Sequence, residues 1–325
     1  VSPICNLEVL LAIDNLPVVF MKAQPNRIFM AVLRLAAFFL IISSLALRIE
    51  AEDTNLNIQV ALVAAEKGDA KAQFELARYY EHERNDAQAV TYLRQSADQG
   101  YADAQILLGS FYGRGHGVPR NVATAVAWYR KAADQGNATA EYAMGNFYAT
   151  GRGVTNDLTQ AISWWQKAAA QNQADAEAAL GELYLLPTDQ CGTNYLNYAA
   201  AGRWLRQAAA HGSVVAMNNL GAAYENGLGV KTDFKAAAVW YRAAAEQGEA
   251  LAQANLGQLY FDGHGVAFDL VQAYQWFKLS ANQGNSLGII GLGNFRSHAL
   301  LTPKQLAAAE QLVRDFQPRQ SPNHP

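Results

Sequence analysis

From about residue 70 onward, apolar residues return every three to five positions, in blocks separated by short glycine-bearing turns. Ala216, Leu220, Gly221 and Tyr224 lie 4, 5 and 8 positions apart, which places them on one face of a helix. Ala236, Trp240 and Ala244 follow at intervals of 4 and form the stripe of a second helix packed on the first. The same pair of segments recurs along the chain. "GHGVPRN" at 115 returns as "GRGVTND" at 151, "GLGVKTD" at 227 and "GHGVAFD" at 263. The closing turns at Gly100, Gly136, Asn172, Gly212, Gly248 and Gly284 are spaced 36, 36, 40, 36 and 36 residues apart. A fixed period of this length predicts an all-α stack of helix pairs.

Superposing the repeats produces columns. Eight residues before each closing turn stand Tyr92, Trp128, Trp164, Trp204, Trp240 and Trp276, so one position takes five of the 6 tryptophans. The first helices carry a leucine-type column and then a column of small residues: Gly109, Gly145, Gly181, Gly221 and Gly257, with Ala77 in the first repeat. Glycine inside a helix costs about 1 kcal/mol relative to alanine, so its recurrence implies close approach of another helix. The expectation is that the tryptophan fills the space beside it. The G-x-G loops follow a helix rather than a strand and read as connectors, not phosphate cradles. Asn121, Asp157, Asp233 and Asp269 then stand where an N-cap would open the second helix.

The string G-x-G-V-x-x-D-x-x-x-A-x-x-W-[YF], followed by A-x-x-Q-G and A-x-x-x-L-G-x-x-Y, resembles the Sel-one-like repeat (SLR) family, a tetratricopeptide-related group, over about residues 69–316. The resemblance implies a right-handed α/α solenoid. It also implies an adaptor that holds protein or peptide partners, often at bacterial surfaces. Six repeats are expected at 69–100, 101–136, 137–172, 173–212, 213–248 and 249–284. A capping helix is expected within 52–68, a degenerate repeat with a second cap at 285–316, and a disordered tail at 317–325. The fourth repeat departs from the pattern, replacing its glycine loop with "LLPTDQCGTNY", which carries Cys191. The cysteine pairs that staple some secreted members are missing.

Composition narrows the function. With 51% hydrophobic and 16% charged residues the chain should fold, and a formal charge of -3 without a basic run argues against nucleic acid as a partner. Met30, Arg34 and the apolar run Leu35 to Leu47, with Ala51 before acidic sequence, resemble a signal peptide over 30–51. An uncleaved anchor is the alternative. Residues 1–29 precede that signal and read as a dispensable leader, either outside the true start at Met30 or translated from an unusual codon at Val1. The mature chain is thus expected to be exported, periplasmic or extracellular, without an integral membrane span.

Candidate chemistry is sparse. "GNSLG" at 284–288 matches G-x-S-x-G around Ser286, but that motif needs a preceding strand. There is no S-x-x-K serine, no H-E-x-x-H and no paired-cysteine zinc pattern, and His116 and His264 occupy equivalent loops in distant repeats. Catalytic residues, cofactor and metal are therefore expected to be none. A secreted SLR enzyme or a β-lactam-like small-molecule binder is the alternative reading. The expected binding surface is the concave side lined by first helices, where Gln105, Asn146, Glu182, Asn218, Asn219, Gln253, Asn255 and Gln258 stand between the buried columns.

Overall fold

The computed structural model describes residues 57–185 and 196–319, with the backbone alone at 296–298. By internal contacts the chain divides into Val1–Lys67 and Gly68–Pro325. The described part of the first unit is one helix, α1 (57–66). The signal at 30–51, the leader before it, Cys191 and the tail from 320 lie outside the described residues.

The second unit is a run of helix pairs: α2 (Ala70–His82) with α3 (Asp86–Asp98), α4 (Ala102–Arg114) with α5 (Val122–Asp134), and α6 (Ala138–Thr150) with α7 (Leu158–Ala169). It continues with α8 (Ala174–Leu183) and α9 (Tyr198–Ala210), α10 (Val214–Asn226) and α11 (Phe234–Ala245), and α12 (Ala250–Asp262) and α13 (Leu270–Asn282). α14 (Ser286–His298) and α15 (Pro303–Asp315) complete the fold, an α/α solenoid with no strand among the described residues.

The loops between paired helices turn the chain. Gly115, Gly151, Gly227 and Gly263 end the first helices in the left-handed conformation, with φ of 84, 67, 71 and 71°. The N–H groups of His116, Arg152, Leu228 and His264 then donate back to Phe111, Phe147, Ala223 and Leu259 at 2.9 to 3.2 Å. Those bonds close the turn at the end of each first helix, the role of a connector. Asn121, Asp157, Asp233 and Asp269 cap the second helices, their side chains accepting the N–H of Thr124, Gln160, Ala236 and Gln272 at 3.0 to 3.1 Å.

Two rings, not one, organise the packing. The glycine column is covered by the residue after the tryptophan, which corrects the expectation that the tryptophan itself does so. Tyr129, Trp165, Leu205, Tyr241 and Phe277 lie against Gly109, Gly145, Gly181, Gly221 and Gly257 of their own repeats; a β-carbon on Gly221 would stand 2.5 Å from the Tyr241 ring. The tryptophans point one position around the helix, toward the preceding repeat. Trp164 joins the cluster of Val126, Ala132 and Met144, while Trp240 packs on that of Ala178, Leu205 and Leu220. Trp164 and Trp276 are buried; Trp128, Trp204 and Trp240 are half-buried. A second tie crosses the same joint: Arg94, Arg130 and Arg242 donate to the hydroxyls of Tyr112, Tyr148 and Tyr260, each 18 residues on, at 2.8, 2.5 and 2.8 Å.

At the C-terminal end Thr302 and Gln305 form a capping box with Pro303 in the first turn. α15 packs on α13, where Glu310 accepts from the Tyr274 hydroxyl at 2.6 Å and Phe316 meets Trp276 edge to face at 5.7 Å. The chain does not leave the body after Phe316. Arg319 donates its backbone N–H to the Glu246 carbonyl at 2.7 Å and pairs with the Glu246 carboxylate at 2.6 Å, so residues 317–319 are held, contrary to a tail disordered from 317.

Candidate partner-binding face

Successive first helices meet directly through short polar side chains. Asn219 on α10 donates to Glu182 on α8 at 2.9 Å, and Asn255 on α12 donates to Asn218 on α10 at 3.0 Å. Second helices of neighbouring repeats meet instead through long side chains, as where the Arg130 guanidinium lies 5.1 Å over the Trp164 ring. The two layers of the stack are therefore joined differently, the first helices by short polar contacts and the second by long side chains.

The eight expected surface residues divide there. Glu182 and Gln258 are exposed, and Asn146, Asn219 and Asn255 are half-buried. Gln258 donates along its own helix to Asp262 at 2.7 Å. Asn146 accepts the Trp165 indole N–H at 3.0 Å and hydrogen-bonds the Tyr142 hydroxyl. Burial holds the Tyr142 phenol above its ordinary range; the Asn146 bond opposes this, and the Asp175 and Glu182 carboxylates add to the rise. Tyr142, Asn146, Asp175 and Glu182 therefore share one neighbourhood, joined through Asn219 to the next repeat.

Gln105, Asn218 and Gln253 belong elsewhere. They are 3, 5 and 0% exposed, so they are corrected from surface to interior. Gln105 donates to the Ala97 carbonyl at 3.1 Å and accepts from Gln135 at 2.8 Å. Gln253 repeats this with Ala245 at 3.1 Å and Gln283 at 2.9 Å. Each buried amide thus ties the last turn of one repeat to both ends of the next, satisfying groups that would otherwise be costly to bury. Facing direction, not residue type, separates these glutamines from Gln258.

Sequence reasoning missed the two carboxylates in that column: Glu141, which accepts from Gln171 at 2.8 Å, and Glu177, whose partner is a histidine. Glu177, fully buried, stands where Gln105 and Gln253 stand, and its Oε2 lies 2.7 Å from Nδ1 of His211. Its Oε1 is buried without a hydrogen-bond partner. The recurrence of glutamine at 99, 135, 171, 247 and 283, with histidine at 211, was the available signal.

The sharper chemical candidates are ordinary in place. Ser286 opens α14 directly after α13 and its turn, with no strand before it. His116 and His264 are exposed in their loops, beside Phe111 at 5.7 Å and Phe234 at 4.7 Å. Among the described residues no three His, Cys, Asp or Glu side chains are grouped to hold a metal, and no helix is long and apolar enough to cross a membrane.

Comparison with known proteins agrees with this architecture. Among solved structures, the chain is similar to a protective antigen of uropathogenic Escherichia coli strains that displays an SLR fold, with 35% identity and a TM-score of 0.65. The match covers 79% of this chain and 55% of that one, so the chain spans little more than half of that relative's length. It is also similar to a Sel1 repeat protein from Oxalobacter formigenes, with 32% identity and a TM-score of 0.62, covering 78% of this chain and 99% of that one. A search of curated proteins finds no match. The Sel1 repeat pattern matches residues 70–101, 102–137, 138–173, 174–213, 214–249 and 250–285, and the chain belongs to the Sel1 repeat family.

Proposed function

We propose that the protein is an exported scaffold that holds another protein along the inner, first-helix face of its solenoid. Sel1 repeat proteins generally mediate protein–protein interaction, which is the family-level ground for the reading. The observation that carries it to this face is the polar network of Glu182, Asn219, Asn218 and Asn255, which crosses three successive first helices. The second helices use their large side chains in stacking, whereas Glu182, Asn219 and Asn255, tied together through the buried Asn218, offer amide and carboxylate groups to an extended chain in either direction. Export rests on the apolar run at 35–47 with its charged and small-residue flanks. The likeness to a protective antigen of a pathogen fits a chain that leaves the cytoplasm.

Affinity capture of the chain from residue 52 onward, with crosslinking, tests the binding reading. Crosslinks should fall between Asn146 and Gln258 on the first helices. The double substitution Glu182→Ala and Gln258→Ala, at the two exposed positions, should weaken capture while the melting temperature holds; undiminished capture would move the site elsewhere. Export is tested separately by following the full chain, with and without residues 30–51, into cell fractions.

A further inference from the structure

Charge is sorted between the two helix layers. The first helices α6, α8, α10 and α12 contain no lysine, arginine or histidine. The second helices α5, α7, α9, α11 and α13 each contain at least one lysine or arginine, among them Lys131, Lys167, Arg206 and Lys235, and only α5 among them contains an acid, Asp134. The solvent-exposed acids on these four first helices are Asp175, Glu182 and Asp262. None of the three has a basic partner: Glu182 accepts from Asn219 at 2.9 Å, Asp262 from Gln258 at 2.7 Å, and Asp175 is approached by Gln173 at 3.5 Å. None of the four ion pairs among the described residues involves these three acids. Asp175 and Glu182 also act together on Tyr142 across the gap between α6 and α8, so their fields overlap on the face.

From this sorting we infer that the partner segment seated on the inner face of repeats three to six is an extended, lysine- or arginine-bearing peptide. The inference rests on the inner face being the binding face and adds the chemistry of the occupant. Carboxylates on α8 and α12, met by neutral amides rather than by the protein's own cations, retain their full attraction for an incoming positive charge. The cationic second layer repels the same segment and confines it to one side. Tyr142 supplies a ring beside Asp175 and Glu182 on which a cationic side chain can rest.

The test uses the full chain and two fluorescent peptides of equal length, one alternating lysine with serine, the other glutamate with serine. Anisotropy should show the lysine peptide binding with an affinity that falls as salt rises, and the glutamate peptide not binding. The triple substitution D175N/E182Q/D262N should weaken the lysine peptide roughly tenfold, with the melting transition kept. A control that removes three acids outside the face, E83Q/D98N/D134N, should leave binding unchanged. Equal weakening by the control overturns the inference, because net charge alone would then be acting. Seating of an acidic or neutral segment on the inner face also overturns it, while leaving the adaptor reading intact. If neither peptide binds and captured partners crosslink only to second helices, both readings fall.

Discussion

The Trp165 indole packs against Gly145 one helix away, and its ring N–H donates to Asn146, the next residue, at 3.0 Å. The glycine admits the ring and the neighbouring amide satisfies its donor, so close packing and polar satisfaction are solved together. In the fifth repeat the same arrangement recurs with different groups: Tyr241 covers Gly221 and donates to Glu225 at 2.6 Å.

Gly221→Ala should destabilise the protein by about 1–3 kcal/mol, because the added methyl meets the Tyr241 ring and overpacking outweighs the roughly 1 kcal/mol that alanine gains in a helix. Gly257→Ala should cost less, since its nearest neighbour, Phe277, would be 3.1 Å away rather than 2.5 Å. Urea unfolding of the two variants side by side checks the ranking.

Trp164→Ala should cost roughly 3–5 kcal/mol, the range for truncating a buried ring. Trp240→Ala should cost less, because Trp240 is half-buried while Trp164 is 6% exposed. As these rings bridge consecutive repeats, the Trp164 variant should also speed hydrogen exchange in α5 and α6, on the side of the joint its indole covers.

The pair substitution Glu177→Gln with His211→Gln recreates the neutral arrangement of Gln105 with Gln135. It gives a donor to a position where Glu177 Oε1 is buried and unpaired, and should raise stability by about 1 kcal/mol. Glu177→Ala alone, which deletes the partner of His211 and leaves a void, should lower it. Thermal denaturation of both variants decides.

Burial raises the Glu141 carboxyl above its ordinary value, opposed by the Gln171 hydrogen bond and the Lys167 charge. A carboxyl whose folded value is raised binds its proton more tightly when folded, so its ionisation costs stability as pH rises through the window above its unfolded value. Glu141→Gln should therefore stabilise the protein at neutral pH, and the difference from the parent should shrink as the solution is acidified toward pH 4. Denaturant titrations across that range measure it.

Much of this architecture was legible in one dimension because stacking repeats the same demand at a fixed interval. The glycine, leucine and tryptophan columns, the N-capping residues at 121, 157, 233 and 269, and the turn role of the G-x-G loops all follow from spacing and local backbone chemistry. The polar residues were harder to place. Gln105 and Gln258 are the same residue type on equivalent helices, yet one is buried between repeats and the other is exposed. A helical period tells which residues share a stripe, not which of two polar stripes the next repeat will cover.

The amino-acid sequence by itself determined the helix pairs, their number and the ridge of small residues that lets them nest, since each depends on contacts within a repeat or its near copy. Only the tertiary structure decided which ring covers the glycine, that Glu177 takes a histidine where its counterparts take glutamine, and that Glu182, Asn219, Asn218 and Asn255 join across three helices. Those choices turn on the angle at which one helix meets the next, which small displacements of many packed side chains set jointly and no single repeat encodes.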